Sequence, residues 1–342
     1  MTAVAKTHSA PGAEVISTDA PRFGPGDLLV RVKAASICGT DLHIHKWDKW
    51  AQGRIKPPLI FGHEFCGDVA DVGEDVVGFK AGDYVAAETH IFDVTCDLCR
   101  LGRSHVCRNV SIIGIDRPGC FAEFVCIPAR AAWRLDRGVP PEIGAILDPL
   151  GNAVHTTLAG AIAGATVVVV GCGPIGCMAI GVARAAGAGC ILATETNPYR
   201  RDLALRMGAD EVLDPADGGT PERLMALTDN CGADVVLEMS GHPAGVTQSL
   251  RIAKPGGRVS LLGLPSRPVE IDISNDIIFR GITIQGINGR RIWETWYQMQ
   301  SLLVSGALDM KPLITHQFRL TQFEEAIALL STGNAAKIIL YP

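Results

Sequence analysis

The sequence has no excess of positive charge. Its 31 Lys and Arg stand against 36 Asp and Glu, a formal net charge of −5, so no basic surplus exists to neutralise nucleic-acid phosphates, and no nucleic-acid partner is expected. Internal repeats, low-complexity tracts and disordered linkers are also missing, which excludes solenoid and tail-like organisations. Met1 to Pro11 lack the basic-then-apolar pattern of a secretory leader. A long stretch without charge, Thr156 to Ala183, is sufficient in length to span a bilayer. Gly160, Gly164, Gly171, Gly173, Pro174 and Gly176 break it, however, and it contains the β-branched block Thr166–Val170. That combination reads as a buried parallel strand feeding a covered helix, and no membrane partner is expected.

What is present fits a large soluble globular protein. A chain of 342 residues with 47% hydrophobic and 20% charged content has apolar area for two domains. Eleven cysteines are an odd number in a long chain. They suit thiol or metal chemistry in a reducing compartment better than a disulfide framework, so a cytoplasmic location is the expectation.

The texture changes near residue 150. Before it, short valine-bearing runs such as Leu28–Val32, Gly67–Val72 and Asp83–Ala87 are separated by Gly, Pro and Asp, the rhythm of a β-rich domain. From Gly151, apolar strands (Thr166–Gly171, Cys190–Thr194, Ala233–Met239, Arg258–Gly263) alternate with helical segments (Cys177–Ala186, Pro198–Met207, Ala244–Ala253). This alternation predicts βαβ units and a doubly wound parallel sheet, hence an α/β fold. The tail carries two helical patterns, Trp293–Val304 and Gln322–Leu330, and a last strand, Lys337–Tyr341.

Two early segments concentrate chemistry: Cys38-Gly39-Thr40-Asp41-Leu42-His43 and Gly62-His63-Glu64-Phe65-Cys66-Gly67. Thiolate, imidazole and carboxylate are ligand types that Zn²⁺ prefers, and three protein ligands leave a fourth position open for a substrate oxygen. Thr40 and His43 follow the first ligand closely enough to pass a proton from that oxygen to solvent.

Gly171-Cys172-Gly173-Pro174-Ile175-Gly176 has the Gly-x-Gly-x-x-Gly form. The pattern is weak alone, but here it follows a predicted buried strand and opens a predicted helix. Its glycines permit a tight turn and close approach of backbone N–H groups to a pyrophosphate. Glu195 ends the next strand, where an acidic side chain accepts from the adenosine ribose and repels a 2′-phosphate, favouring NAD over NADP. Arg200 and Arg201 lie close enough to oppose that preference.

A third group, Cys96-x-x-Cys99 with Cys107, predicts a closed structural zinc site in a polar loop. Asp93, spaced three residues before Cys96, is the candidate fourth ligand, with His90 and His105 as rivals. A redox CxxC would open a helix beside a strand, and this loop is expected not to.

With these residues in view, the chain resembles the zinc-dependent medium-chain dehydrogenases over essentially its whole length. The carriers are Gly62-His63-Glu64-x-x-Gly67-x5-Gly73-x-x-Val76, Gly78-Phe79-Lys80-x-Gly82-Asp83-x-Val85 and the cysteine loop. The resemblance implies a GroES-like catalytic domain over 1–150, with 290–342 returning to it, and a Rossmann NAD-binding domain over 151–289. It implies an active site in the cleft between them and a homotetramer. It also implies catalytic zinc on Cys38, His63 and Glu64, with Thr40 and His43 as the proton relay and Asp148 as a further acidic group near the metal. NAD contacts are implied at Ile175, Glu195, Arg200, Leu262, Gly263, Leu264, Gly286 and Ile287, beside Gly171, Gly173 and Gly176. Asp93 stands where the family usually has cysteine. The implied reaction is oxidation of a secondary alcohol. Trp47–Trp50, Asp148–His155, Asn288–Arg290 and Glu294–Tyr297 favour L-threonine, giving 2-amino-3-oxobutanoate, over a polyol or vicinal diol. A non-catalytic NAD-binding redox sensor built on Cys96, Cys99 and Cys107 is the alternative of another class; it would leave Cys38, Thr40, His43, His63 and Glu64 without a role.

Overall fold

The computed structural model describes residues 1–342 and resolves two compact units. The first comprises Met1–Pro149, Arg291–Gln300 and Ile314–Pro342. Its main sheet has seven strands, in the order Ala132–Arg134, Tyr84–Ala87, Glu64–Val72, Asp27–Ser36, Lys337–Tyr341 and Ile314–Arg319, with Phe124–Pro128 also pairing to Asp27–Ser36. Strand Asp27–Ser36 shows why such segments extend: Leu28, Val30 and Val32 are buried while Arg31 and Lys33 face solvent, the two-residue alternation of a half-covered strand. Phe61, Phe121 and Phe323 meet with ring centroids 5.3 to 5.5 Å apart in the core beneath. Gly62 adopts φ +86°, and a side chain there would strike the Phe121 ring. Packing thus demands a glycine immediately before His63.

Register then assembles a site at one end of the sheet. Ser36 pairs with Glu64, and Ile339 pairs with Ser36. Cys38, His63, Glu64 and Lys337, distant in sequence, are therefore carried to neighbouring strand ends. Helix α1 (Gly39–Lys46) leaves directly from Cys38, and α2 (Lys49–Arg54) follows after a two-residue turn.

The second unit comprises Leu150–Arg290 and Ser301–Leu313. Helix α3 (Leu147–Thr157) carries the chain into it. Six parallel strands form its sheet in the order Glu211–Leu213, Cys190–Thr194, Thr166–Val170, Ala233–Glu238, Ala253–Leu261 and Thr283–Gly286. This is the doubly wound order in which strand direction of travel reverses between Thr166–Val170 and Ala233–Glu238, leaving a crevice at their carboxyl ends. Val167 to Val170 are buried, as are Met178 to Ala183 in α4 (Pro174–Ala185). The uncharged stretch is thus a covered strand and helix, and no helix of the protein is long and apolar enough to cross a membrane.

The elements differ from the sequence expectation in places. Helix α4 starts at Pro174 instead of Cys177, because Gly173 caps it and proline suits a first turn. Glu211–Leu213, Thr220–Leu227 and Thr283–Gly286 lie outside the expected elements, being short and only weakly apolar. The segment 290–342, expected whole in the first domain, is divided. Residues Ser301–Leu313 pack with the second unit, where Leu308 and Met310 stand against Gly181 of α4.

Candidate metal centres and dinucleotide site

Cys38, His63 and Glu64 bring one ligand atom each within 4.8 Å of one another. His63 is 7% and Glu64 1% exposed. His63 Nδ1 and Glu64 Oε1 are buried without a hydrogen-bond partner, as is Oδ1 of Asp41 behind them. Unpartnered polar atoms in a dry pocket are costly unless something fills the gap. Burial alone would lower the His63 imidazole, but the Cys38 thiol beside it, with Asp41 and Asp148, carries it up to about 10. The donor set of one thiol, one imidazole and one carboxylate suits zinc.

Two residues unassigned by the sequence reading support this trio. Asp41, fully buried, accepts from Cys38 N at 2.8 Å and places Oδ1 3.8 Å from His63 Nδ1; burial pushes its carboxyl up to about 6. Lys337 Nζ lies 2.5 Å from Glu64 Oε2 and donates to Ile37 O at 3.2 Å. Asp41 lies inside the Cys38–His43 segment, where its acidic side chain three residues after Cys38 is a visible signal. Lys337, some 300 residues from its partner's strand mate, gave no local signal.

Thr40 and His43 share a face of α1, three residues apart. Thr40 Oγ1 lies 3.8 Å from Cys38 Sγ. Asp148, in the first turn of α3, accepts from Thr89 Oγ1 at 2.5 Å. It forms a second group of candidate ligands with Glu88 and His90, and its charge is felt at His63. Glu88, 1% exposed, accepts from Trp296 Nε1 at 3.0 Å.

Asp93, Cys96, Cys99 and Cys107 place their ligand atoms within 4.8 Å of one another, and neither His90 nor His105 joins them. Cys107 Sγ receives the backbone N–H groups of Asp93 and Asn109, and Cys96 Sγ that of Cys99, each at 3.4 Å. Such donors favour thiolates, and the N–H groups of Arg108 and Cys99 hold Cys96 below its ordinary value. Contrary to expectation, the loop does contain a helical turn, Asp97–Arg100, capped by Cys96. All eleven cysteines are free thiols.

In the second unit the glycine motif turns as required. A side chain at Gly176 would run into the carbonyl of Gly171, whereas one at Gly173 would meet nothing. The open space lies at the N-terminus of α4, where free backbone N–H groups favour an anion. A cavity of about 360 Å³ continues from it, lined by Gly171, Thr194, Glu195, Ser240, His242 and Gln248 among others. Glu195 is fixed at its mouth by Cys172 N (2.8 Å) and Asn197 N (2.9 Å). Arg201 is committed to Asp214 at 2.6 Å and to the carbonyls of Glu195 and Thr196, while Arg200 Nε is buried without a partner. Of the other expected contacts, Ile175 lies in the first turn of α4, Leu262–Leu264 follow the strand Ala253–Leu261, and Gly286–Ile287 stand at the end of the strand Thr283–Gly286. His242 and Gln248 had no motif to reveal them.

A model of the alcohol dehydrogenase GroES-like domain matches residues 24–137, and one of the zinc-binding dehydrogenases matches 174–305. An L-threonine 3-dehydrogenase of Bacillus licheniformis is 49% identical over 342 residues, covering 100% of this chain and 99% of the relative. The chain belongs to the zinc-binding medium-chain dehydrogenase family. A second relative, the L-threonine 3-dehydrogenase of Caldanaerobacter subterraneus, is 48% identical and covers 100% of this chain and 99% of its own. Among solved structures, a zinc-binding dehydrogenase from Sinorhizobium meliloti bound to NADP superposes with a TM-score of 0.89 at 31% identity, covering 100% and 99%. An Escherichia coli alcohol dehydrogenase complexed with NADH gives 0.90 at 25% identity, with the same coverage. As a zinc-binding dehydrogenase, the chain is an oxidoreductase with a GroES-like domain and a Rossmann-type sheet.

Proposed function

We propose that this zinc-binding dehydrogenase oxidises L-threonine at its 3-hydroxyl to 2-amino-3-oxobutanoate, using NAD⁺. The full-length identity to relatives bearing that activity in their names carries the substrate assignment, and the buried Cys38, His63 and Glu64 trio supports the chemistry. Bound there, zinc supplies the Lewis acid that acidifies a secondary hydroxyl, and the dinucleotide supplies the hydride acceptor. Thr40 Oγ1 and then His43 take the released proton toward solvent. Asp41 steadies the ligand shell from behind, and Asp148 adds negative charge beside His63. Glu195 receives the adenosine ribose hydroxyls and excludes a 2′-phosphate, while Arg201 is held away by Asp214. Asp93, Cys96, Cys99 and Cys107 hold a second, structural zinc. A homotetramer in the cytoplasm completes the proposal.

The test is NADH formation by zinc-loaded protein with L-threonine, sorbitol and 2,3-butanediol compared at equal concentration. Preference for L-threonine by about a hundredfold supports the assignment. Turnover of the diols but not of threonine overturns the substrate and leaves the zinc and NAD chemistry standing.

A further inference from the structure

The turn between α1 and α2 makes a contact that the reaction scheme above does not use. Helix α1 ends at Trp47, whose left-handed backbone (φ 54°) lets its N–H reach His43 O and Ile44 O. The chain reverses there and sets Asp48 at the start of α2. One carboxylate oxygen, Oδ1, caps α2 by accepting Ala51 N at 3.0 Å. The other, Oδ2, lies 2.5 Å from His43 Nδ1. The Trp50 ring stands edge-on to the same imidazole, 6.2 Å between centroids.

We propose that Asp48 is the positioning residue of the proton relay, holding the His43 imidazole with its proton on Nδ1 so that Nε2 offers the lone pair. The proposal rests on the relay role of Thr40 and His43 given above. The Ala51 N–H and the His43 contact keep the Asp48 carboxyl below the ordinary carboxylate range, so it is an acceptor only. A contact of 2.5 Å with an acceptor requires hydrogen on Nδ1, and in neutral imidazole that leaves Nε2 free to receive. In the relay, the substrate hydroxyl gives its proton to Thr40 Oγ1 as Thr40 gives its own to His43 Nε2. The imidazolium so formed stands beside the Asp48 anion, then releases the Nε2 proton to water, and Asp48 is never protonated. The His43 side chain is 59% exposed, which opens that last step to solvent.

Two substitutions separate this role from a merely structural one. Asn and Ser both cap helices well, so Asp48→Asn and Asp48→Ser each preserve the start of α2. The Asn amide donates to Nδ1, forcing the proton onto Nε2 and blocking reception. Ser leaves His43 free to choose either form. Expected, then, is a loss of about tenfold or more in kcat/KM for L-threonine in Asp48→Asn. Asp48→Ser should lose less, and the solvent deuterium isotope effect should rise in the Asn variant. Equal activity in all three proteins, or a Ser variant worse than the near-isosteric Asn variant, overturns the proposal. His43→Asn is measured alongside. If it turns over at the parent rate, the relay reading itself fails; if it is impaired while Asp48→Asn is not, only the Asp48 assignment falls. Wild-type protein inactive on L-threonine would show earlier, as failure of the substrate assignment.

Discussion

Lys337 Nζ stands 2.5 Å from Glu64 Oε2, with both side chains almost wholly buried, so a residue placed to bind metal already has a cation at its back. Removing one partner of a buried pair costs about 3–5 kcal/mol because the other charge is stranded. Lys337→Met should therefore lower the unfolding temperature sharply in chelator-treated protein. Zinc on Cys38, His63 and Glu64 would supply the missing positive charge, so the loss should be smaller in the zinc-loaded form. Thermal unfolding of both forms decides it. Equal losses would mean that Lys337 acts through Ile37 and packing alone.

Glu238 ends its strand fully buried, accepting from Ser240 N at 3.0 Å and from Gly241 N at 3.1 Å. Burial raises its carboxyl above the ordinary 4.5, against the pull of those donors. A folded-state value above the unfolded one favours the protonated form. The stability it contributes is full below 4.5 and is lost as pH rises through the folded value. Glu238→Gln, neutral throughout and still able to accept from Ser240, should gain on the parent protein as pH rises. The difference in unfolding temperature, variant minus parent, should be larger at about pH 8 than at about pH 5. A constant difference would contradict the buried-carboxyl account.

At the cysteine loop, Asp93 is a hard, half-buried oxygen donor whose carboxylate also accepts from Thr95 N, Cys96 N and Asn109 Nδ2. Its grip on zinc should be weaker than a fourth thiolate's. Asp93→Cys is expected to slow zinc release to a chromogenic chelator by about tenfold or more, and Cys99→Ser to remove about one zinc per chain without touching the other. Unchanged release from Asp93→Cys would indicate that the carboxylate is not a ligand.

Glu195→Ala should raise the KM for NAD⁺ by about tenfold and narrow the preference over NADP⁺, with little effect on the KM for threonine. Initial rates with each dinucleotide check this. Unchanged NAD⁺ affinity would remove Glu195 from the ribose.

Much of this is legible in the sequence itself. The alternation of apolar strands after Gly151 located the parallel sheet, because strands buried on both faces carry near-continuous valine and isoleucine. The Gly-His-Glu and Cys-x-x-Cys groups announced their own chemistry by residue type and spacing. The partners that tune these groups were harder to see. Lys337 meets Glu64 only through the pairing of three strands, and Asp48 reaches His43 only because Trp47 adopts a left-handed turn. Neither fact has a local pattern. Glu211–Leu213 and Thr283–Gly286 were missed for a related reason: sheet neighbours, rather than their own short sequences, hold them extended.

The place of strand Lys337–Tyr341 has a consequence for how the protein is made. It sits inside the first unit's sheet, between Asp27–Ser36 and Ile314–Arg319, yet it is synthesised after the whole of the second unit. Leu150–Arg290 and Ser301–Leu313 emerge from the ribosome before it. The later-encoded unit can therefore finish folding first, while the amino-terminal one waits with an open seam along its central strand. Until Lys337 arrives, Glu64 has no lysine at its side, and the trio's pocket exists only in part. A chain stopped before Lys337 would hold a formed second unit and a Cys38, His63 and Glu64 trio without its buried lysine.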